Sequence, residues 1–558
     1  MGSGNSSDDR RNMDEGDPPP LAEGSESERR DSASSTASGL LPDNPDLASI
    51  LSYLIRSGQV RILSSDHEGN EDEDEEDFRS VARANPVPGA MAPPDTHRLD
   101  KSDLQQQVML SSGQRMPSLS PKKSMSRLLH GREIGLGHGA FSRGNQCAVA
   151  SNYLPNSYEV VARYRHKAFC GLFSQEGDIF LTACQDRNVR VYDTSCGNFK
   201  LRKQVAAKDV GWSILDVAFS PDGHYMIYSS WSDAIHLCSV DEDRDTHESL
   251  RVYPLSDNSF CLFSLTFSQD NQEIMAGAND GCIYVYDRES NSRTLRIDAH
   301  EDDVNAVAFA DASSQILFSG SDDGLCKVWD RRTLREEDPL PVGTLAGHSD
   351  GITYIDSKKD NRYVISNSKD QTIKLWDLRC FSSDDAVTAT RREVAKQNWD
   401  YRWQQVPGRV HKRKVTLPGD SSLMTYRGHC ILNTLVRCHF SPAFTTGQRY
   451  IYTGCATGAV IVYDVLTGEQ VKHMEGHMAC VRDVSWHPYE NTIMSTSWDS
   501  TVNRWFYEEE ENDEGDFRIS DDDDDDDEGD TRAKRHNLKR KEKRMPLLKR
   551  RLQRLIYL

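Results

Sequence analysis

The sequence predicts an all-β fold, a seven-bladed β-propeller with a disordered N-terminal region before it and a charged C-terminal tail after it. Three observations predict it. From about residue 160 to 507 one unit recurs: an apolar strand, a turn, a second strand ending in small residues, an Asp-containing turn, and a third strand ending in an aromatic residue that is usually followed by Asp. The closing positions are Tyr192, Cys238, Tyr286, Trp329, Trp376, Tyr463 and Trp505, with Cys238 marking a degenerate second unit. Their steps are 46, 48, 43, 47, 87 and 42 residues, so the long step holds an insertion and not a missing unit. Seven third strands require seven blades, and the chain before His166 supplies the outer strand that closes the ring.

Residues 1–125 are rich in Ser, Asp, Glu, Pro and Gly and include EDEDEED at Glu71 to Asp77. Such a segment buries too little apolar surface to offset its ordering entropy, so mostly disorder is expected. Residues 44–58 depart from this: Asn44 can cap, Pro45 suits the first helical turn, Gly58 suits the end, and Leu47, Ile50, Leu51 and Leu54 recur at helical spacing. This amphipathic helix either packs back on the main domain or enters a groove on a partner. The opening MGSGNS fits the pattern for myristoylation of Gly2. One acyl chain gives only marginal attachment, so weak membrane association is the most it implies, and no stable membrane binding is expected.

After a lead-in at 126–160 the propeller occupies 161–507, interrupted at 380–425 by an insertion containing NWDYRWQQVPGRVHKRK. Its aromatic cluster is expected to pack on the propeller and its basic end to be solvated. Three units carry a His, an Asp and the closing Trp at matched spacing: His300, Asp323 and Trp329; His348, Asp370 and Trp376; His477, Asp499 and Trp505. These groups can link strands by hydrogen bonds inside a blade, so the histidines are expected to be structural.

The tail is a charge dipole within a chain of net charge -21. The linker 508–530 has 16 acidic residues and one basic, whereas 531–558 has 12 basic and one acidic. The overall balance excludes a protein that coats nucleic acid along its length; no direct DNA contact is expected, and RNA only through the basic tail. Lys534 and Arg535, then Lys539, Arg540, Lys541, Lys543 and Arg544, form a two-part nuclear-import candidate, which points to nuclear and cytoplasmic residence. Ser520, ahead of seven aspartates, suits an acidophilic kinase.

Thirteen cysteines without a Cys-x-x-Cys pair suit reduced thiols inside a cell, and the His429-Cys430 and Cys438-His439 pairs flank a strand. No metal and no cofactor are therefore expected. A phosphate-binding glycine loop, nucleophile elbow or zinc-protease motif is lacking, which disfavours an enzyme.

The remaining motif is KVWDRR at Lys327 to Arg332, repeated as KLWDLR at Lys374 to Arg379. Side chains alternate along a strand, so Asp330 and Arg332 face one way, as do Asp377 and Arg379, and each carboxylate can hold its guanidinium and present the remaining donors outward. VYDTS, VYDRE and VYDVL end other blades without the arginine. The repeating unit resembles the WD40 family, and two consecutive WD-x-R repeats resemble the substrate receptors of cullin-4 RING ubiquitin ligases. That resemblance implies a non-catalytic receptor whose Trp329, Asp330, Arg332, Trp376, Asp377 and Arg379 contact the damage-specific DNA-binding adaptor protein. It also implies a helical segment, here Leu47, Ile50, Leu51 and Leu54, entering a pocket of that adaptor. Cullin-4 and the RING subunit are then indirect partners, and protein substrates the cargo. Trp399-Asp400-Tyr401-Arg402 fits the bare pattern but sits in the insertion and is not counted. The target would meet the opposite face and channel mouth, where Gln185, Asn279, Asp322, Lys369 and Trp498 precede the turn aspartates. Trp498 would be an anchor if exposed and a packing residue if not. The rival reading is a scaffold in an RNA or chromatin assembly.

Overall fold

In each repeat the short apolar strands are joined by turns whose residues tolerate left-handed backbone, so neighbouring strands pair as hairpins. At Gly281 and Gly458 the left-handed turn is also tight. A Cβ there would lie 2.4 Å from the His300 carbonyl oxygen and 2.3 Å from that of His477. The computed structural model describes residues 94–113, 125–134 and 141–509, apart from 196, 242, 244, 253–259, 409 and 411–415. Gly2, the 44–58 helix, Ser520 and the nuclear-import candidates lie outside the described residues.

Seven antiparallel four-stranded sheets form the blades of a propeller, as expected. Six are simple meanders, beginning at Ala168, Asp216, Leu262, Val304, Ile352 and Cys438. The seventh takes three strands from Val481–Phe506 and its outer strand from Ser157–Arg163, with Tyr158 opposite Trp505. Ring closure thus joins chain from both ends of the domain and removes a free edge.

Apolar side chains fill the spaces within and between blades. In blade four the Trp329 indole donates to Ser319 Oγ at 2.9 Å, Ser319 bonds His300 Nε2 at 2.7 Å, and His300 Nδ1 lies 2.8 Å from Asp323. Blade five repeats the chain through Ser366, and blade seven through Ser495. The histidines are therefore structural. The serine that joins Trp to His was missed, although it stands ten residues before the Trp in all three repeats.

Composition predicts mostly disorder up to residue 125, but the helix Asp103–Ser112 lies within that range. Leu99, Leu104 and Val108 are fully buried in the core cluster of blades five and six. Three apolar side chains suffice because the receiving surface already exists, a condition that composition alone does not reveal. Two further helices, Met125–Glu133 and Arg143–Ala150, occupy the lead-in.

Candidate functional site: two opposed faces of the propeller

The second-to-third strand turn and the exit of the third strand lie at opposite ends of a blade. Arg332 and Arg379 follow the third strands of blades four and five; Asp322 and Lys369 sit in the preceding turns. The two groups of candidates therefore occupy opposite faces.

On the first face both arginines form the expected fork. Arg332 Nε and Nη2 donate to the two oxygens of Asp330 at 2.9 and 2.6 Å, and Arg379 Nη2 donates to Asp377 at 2.8 Å. The reason differs from strand alternation. The strands end at Asp330 and Asp377, and each carboxylate also accepts the backbone N–H of its arginine at 3.0 Å. This is an Asx turn, which folds the side chain back onto the aspartate. Asp193, Asp287 and Asp464 make the same backbone turn without an arginine, so the turn is architectural and the guanidinium is an addition. The side chains of Arg332 and Arg379 remain 68% and 58% exposed. Hydrogen bonding from Arg332 holds the Asp330 carboxyl below its ordinary value, which keeps the pair ionised. Trp329 and Trp376 are buried, so they support the forks rather than meet a partner.

Asp400 and Arg402 form the same fork in the insertion, with Arg402 Nε at 3.0 Å and its backbone N–H at 2.9 Å. The motif alone makes this geometry; its place in the fold decides what it can touch. The insertion leaves blade five on the first face, forms the helix Asp384–Val394, and then reaches the opposite face. There Trp399 donates to Asp350 at 2.9 Å, and the Tyr401 carbonyl accepts from Asn433.

The insertion covers one target-face candidate, and other candidates are buried or engaged by different neighbours. Lys369 is only 8% exposed; its Nζ lies 2.7 Å from both Asp322 oxygens and 4.3 Å from the Tyr401 ring centroid. Trp498 is 7% exposed and packs in a core cluster, so it is the packing residue and not an exposed anchor. Asn279 accepts the Cys261 N–H at 2.9 Å, and Gln185 is half-buried. The channel mouth is filled as well. Arg437 spans from blade six to Asp216 of blade two at 2.6 Å and Asp483 of blade seven at 3.2 Å, while Arg482 donates to the Leu215 carbonyl at 2.6 Å. These groups carry no local sequence signal because their partners lie 46 to 267 residues away.

His429 accepts from the Tyr463 hydroxyl and donates to Asn367, whereas His439 lies near Asp356 and Asp483. Among the described residues no cluster has the composition of a metal site.

The WD40 family model, described as WD domain, G-beta repeat, matches residues 160–193, 248–287, 291–330, 340–377 and 468–505. The LEC14B homolog of Prunus armeniaca is 42% identical over 393 residues, which cover 68% of this chain and 81% of that protein. The DDB1- and CUL4-associated factor 11 homolog of Caenorhabditis elegans is 42% identical over 374 residues, covering 65% of this chain and 64% of the relative. Its counterpart in Caenorhabditis briggsae is 40% identical over 376 residues, covering 65% and 67%. The chain belongs to the WD40-repeat family that includes these plant and nematode proteins.

Proposed function

We propose that this chain is the substrate receptor of a cullin-4 RING ubiquitin ligase, holding the damage-specific DNA-binding adaptor protein with one face and a target protein with the other. The observation that carries this reading is the pair of exposed Asp–Arg forks at equivalent positions of adjacent blades on one face. A partner that presents carboxylates or carbonyls to both meets preorganised donors, with little side-chain entropy left to lose. The names of the nematode relatives, DDB1- and CUL4-associated factor 11 homologs, support the same assignment. The chain itself performs no bond chemistry; it brings a target lysine near the charged ubiquitin carrier, and transfer is accelerated by proximity. Nuclear and cytoplasmic residence, directed by the Lys534 to Arg544 cations, belongs to this proposal.

Capture of the adaptor from cell extract by wild type and by Arg332→Ala/Arg379→Ala, with folding of both verified, tests it. Wild type is expected to retain the adaptor and the double variant to lose most of it. A wild-type chain that captures no adaptor sinks the reading. Capture undiminished in the variant relocates the contact, with residues 44–58 next to be tested.

A further inference from the structure

The target face carries an arc in which the sequence candidates marked only the buried base, Trp498, and Gln185 beside Arg187. Trp212, in the link between blades one and two, is 51% exposed, and it does not stand alone. Its ring meets Phe169 edge-on at 5.3 Å, and Phe169 lies 5.5 Å from Trp498, with Lys167 Nζ 4.7 Å from the Trp498 centroid. On the other side Gly211 has no Cβ, which lets Trp231 approach the backbone beside Trp212; a Cβ there would come within 2.8 Å of Trp231. Trp231 then meets Phe263 of blade three at 6.5 Å. An indole held on a packed aromatic base offers a large apolar contact at little entropy cost, the property of an interface anchor.

The surroundings specify charge. Arg165, Arg187 and Lys208 are exposed on the same face, and none has an ion pair among the described residues. The nearby Asp186 is already taken by a bidentate bond from Arg190. Two carboxylates lie in the same stretch: exposed Asp209, which follows Lys208 and stands near His236, and half-buried Asp233. Farther round the face the sign reverses, with Glu301, Asp302, Asp303 and Asp322 around blades three and four. In a chain of net charge -21, three exposed cations without ion partners among the described residues, on the face that exposes a tryptophan, are a local exception. We infer that this arc is a docking site for an acidic segment of a target protein, one apolar side chain of which seats on Trp212 while its carboxylates meet Arg165, Arg187 and Lys208. The inference rests on the receptor reading above and names the class of target that such a receptor takes.

The test uses the full chain without adaptor and three short fluorescent peptides: Asp and Glu around a central Phe, the same with Ser for Phe, and Lys around the Phe. The acidic Phe peptide is expected to bind best, with affinity falling about tenfold in Trp212→Ala and again in Arg187→Glu/Lys208→Glu, and falling as salt rises. Adaptor capture by the same variants should be unchanged, because the forks lie on the other face. Loss of adaptor capture in wild type would instead indict the receptor reading and leave the peptide result standing. Equal binding of the acidic and basic peptides, or acidic binding untouched by both variants, overturns the inference. Tighter binding of a single-stranded oligonucleotide, abolished by the same variants, also overturns it. Binding that appears only when Asp521 to Asp527 are changed to Asn would make the chain's own acidic run the occupant and overturn a target segment.

Discussion

Asp103 reaches Arg379 across 276 residues of sequence, its Oδ2 lying 3.3 Å from one guanidinium nitrogen and 2.7 Å from Arg362 Nη2. One end of the Asp103–Ser112 helix is thereby fastened to the fork face of blade five. The carboxylate competes with any partner for a donor of Arg379, and both side chains remain more than half exposed.

Asp103→Ala should therefore change stability by no more than about 1 kcal/mol, as expected for an exposed ion pair. On the proposed adaptor contact it should also strengthen adaptor capture, by about two- to fivefold, because Arg379 no longer has to exchange one carboxylate for another. Titration of purified adaptor against both chains reads this. Weaker capture would mean that Asp103 orients the arginine instead of occupying it.

The channel cluster makes a different prediction. Arg437 is buried between Asp216 and Asp483, whose carboxylates also accept the backbone N–H of Leu265 at 2.7 Å and of Gly171 at 3.1 Å. Arg437→Met strips Asp216 of its ion-pair partner and leaves Asp483 with only His439, 3.7 Å away, and the charge of Arg482, and should cost about 3–5 kcal/mol in chemical unfolding. Arg437→Met/Asp216→Asn/Asp483→Asn should recover most of that, since the amide oxygens still accept from both backbones. A single-variant loss below about 1 kcal/mol would show that water reaches the carboxylates through the channel.

Acid should weaken the fold in two stages. Burial pulls His236 and His429 down to about 4, below the ordinary value of about 6.5. A histidine depressed in the folded state contributes stability that is complete above about 6.5 and is lost as pH falls towards 4, because the unfolded chain takes the proton first. Burial opposes ionisation of Asp499, but the hydrogen bond and charge of His477 prevail and hold it at about 2, so its contribution goes only below about 4. Unfolding midpoints measured from neutral pH downward should show an early decline of about 2 kcal/mol per histidine and a second near the carboxylate range. His429→Gln, which can still donate to Asn367, should flatten the early decline. An unchanged slope would assign it elsewhere.

Much of the architecture was legible because it is local and repeated. The closing positions recur in all seven blades, aromatic in six, and the upstream His, turn Asp and closing Trp recur at matched offsets in three, so the copies reinforce one pattern. The forks were legible for the same reason, since Asp330 and Arg332 are two residues apart. Lys369 is covered, and Trp498 takes the packed one of its two sequence alternatives, because their neighbours come from elsewhere: Tyr401 from the insertion and Phe169 from blade one. Asp103 and the Arg437 cluster had no local signal at all. A lone Asp in a polar stretch and an arginine before a strand acquire meaning only through partners that topology delivers.

The insertion lies close to a further group with the opposite pH sign. Burial first, and then the neighbouring Asp322 and Asp302, push the Asp303 carboxyl up to about 7, against the pull of Lys369 and Arg402. A carboxylate raised in the folded state binds protons there that the unfolded chain has already released, so its ionisation removes stability as pH rises from about 4 to 7. Asp303→Asn abolishes that loss and should stabilise the fold by about 1–2 kcal/mol at pH near 8, with no gain below about 4. Unfolding midpoints at the two pH values decide it. An equal gain at both would trace the effect to packing, since only a charge that is present at one pH and absent at the other makes the gain vanish in acid. A loss at high pH would mean that Lys369 or Arg402 stabilises the Asp303 carboxylate more than its acidic neighbours repel it.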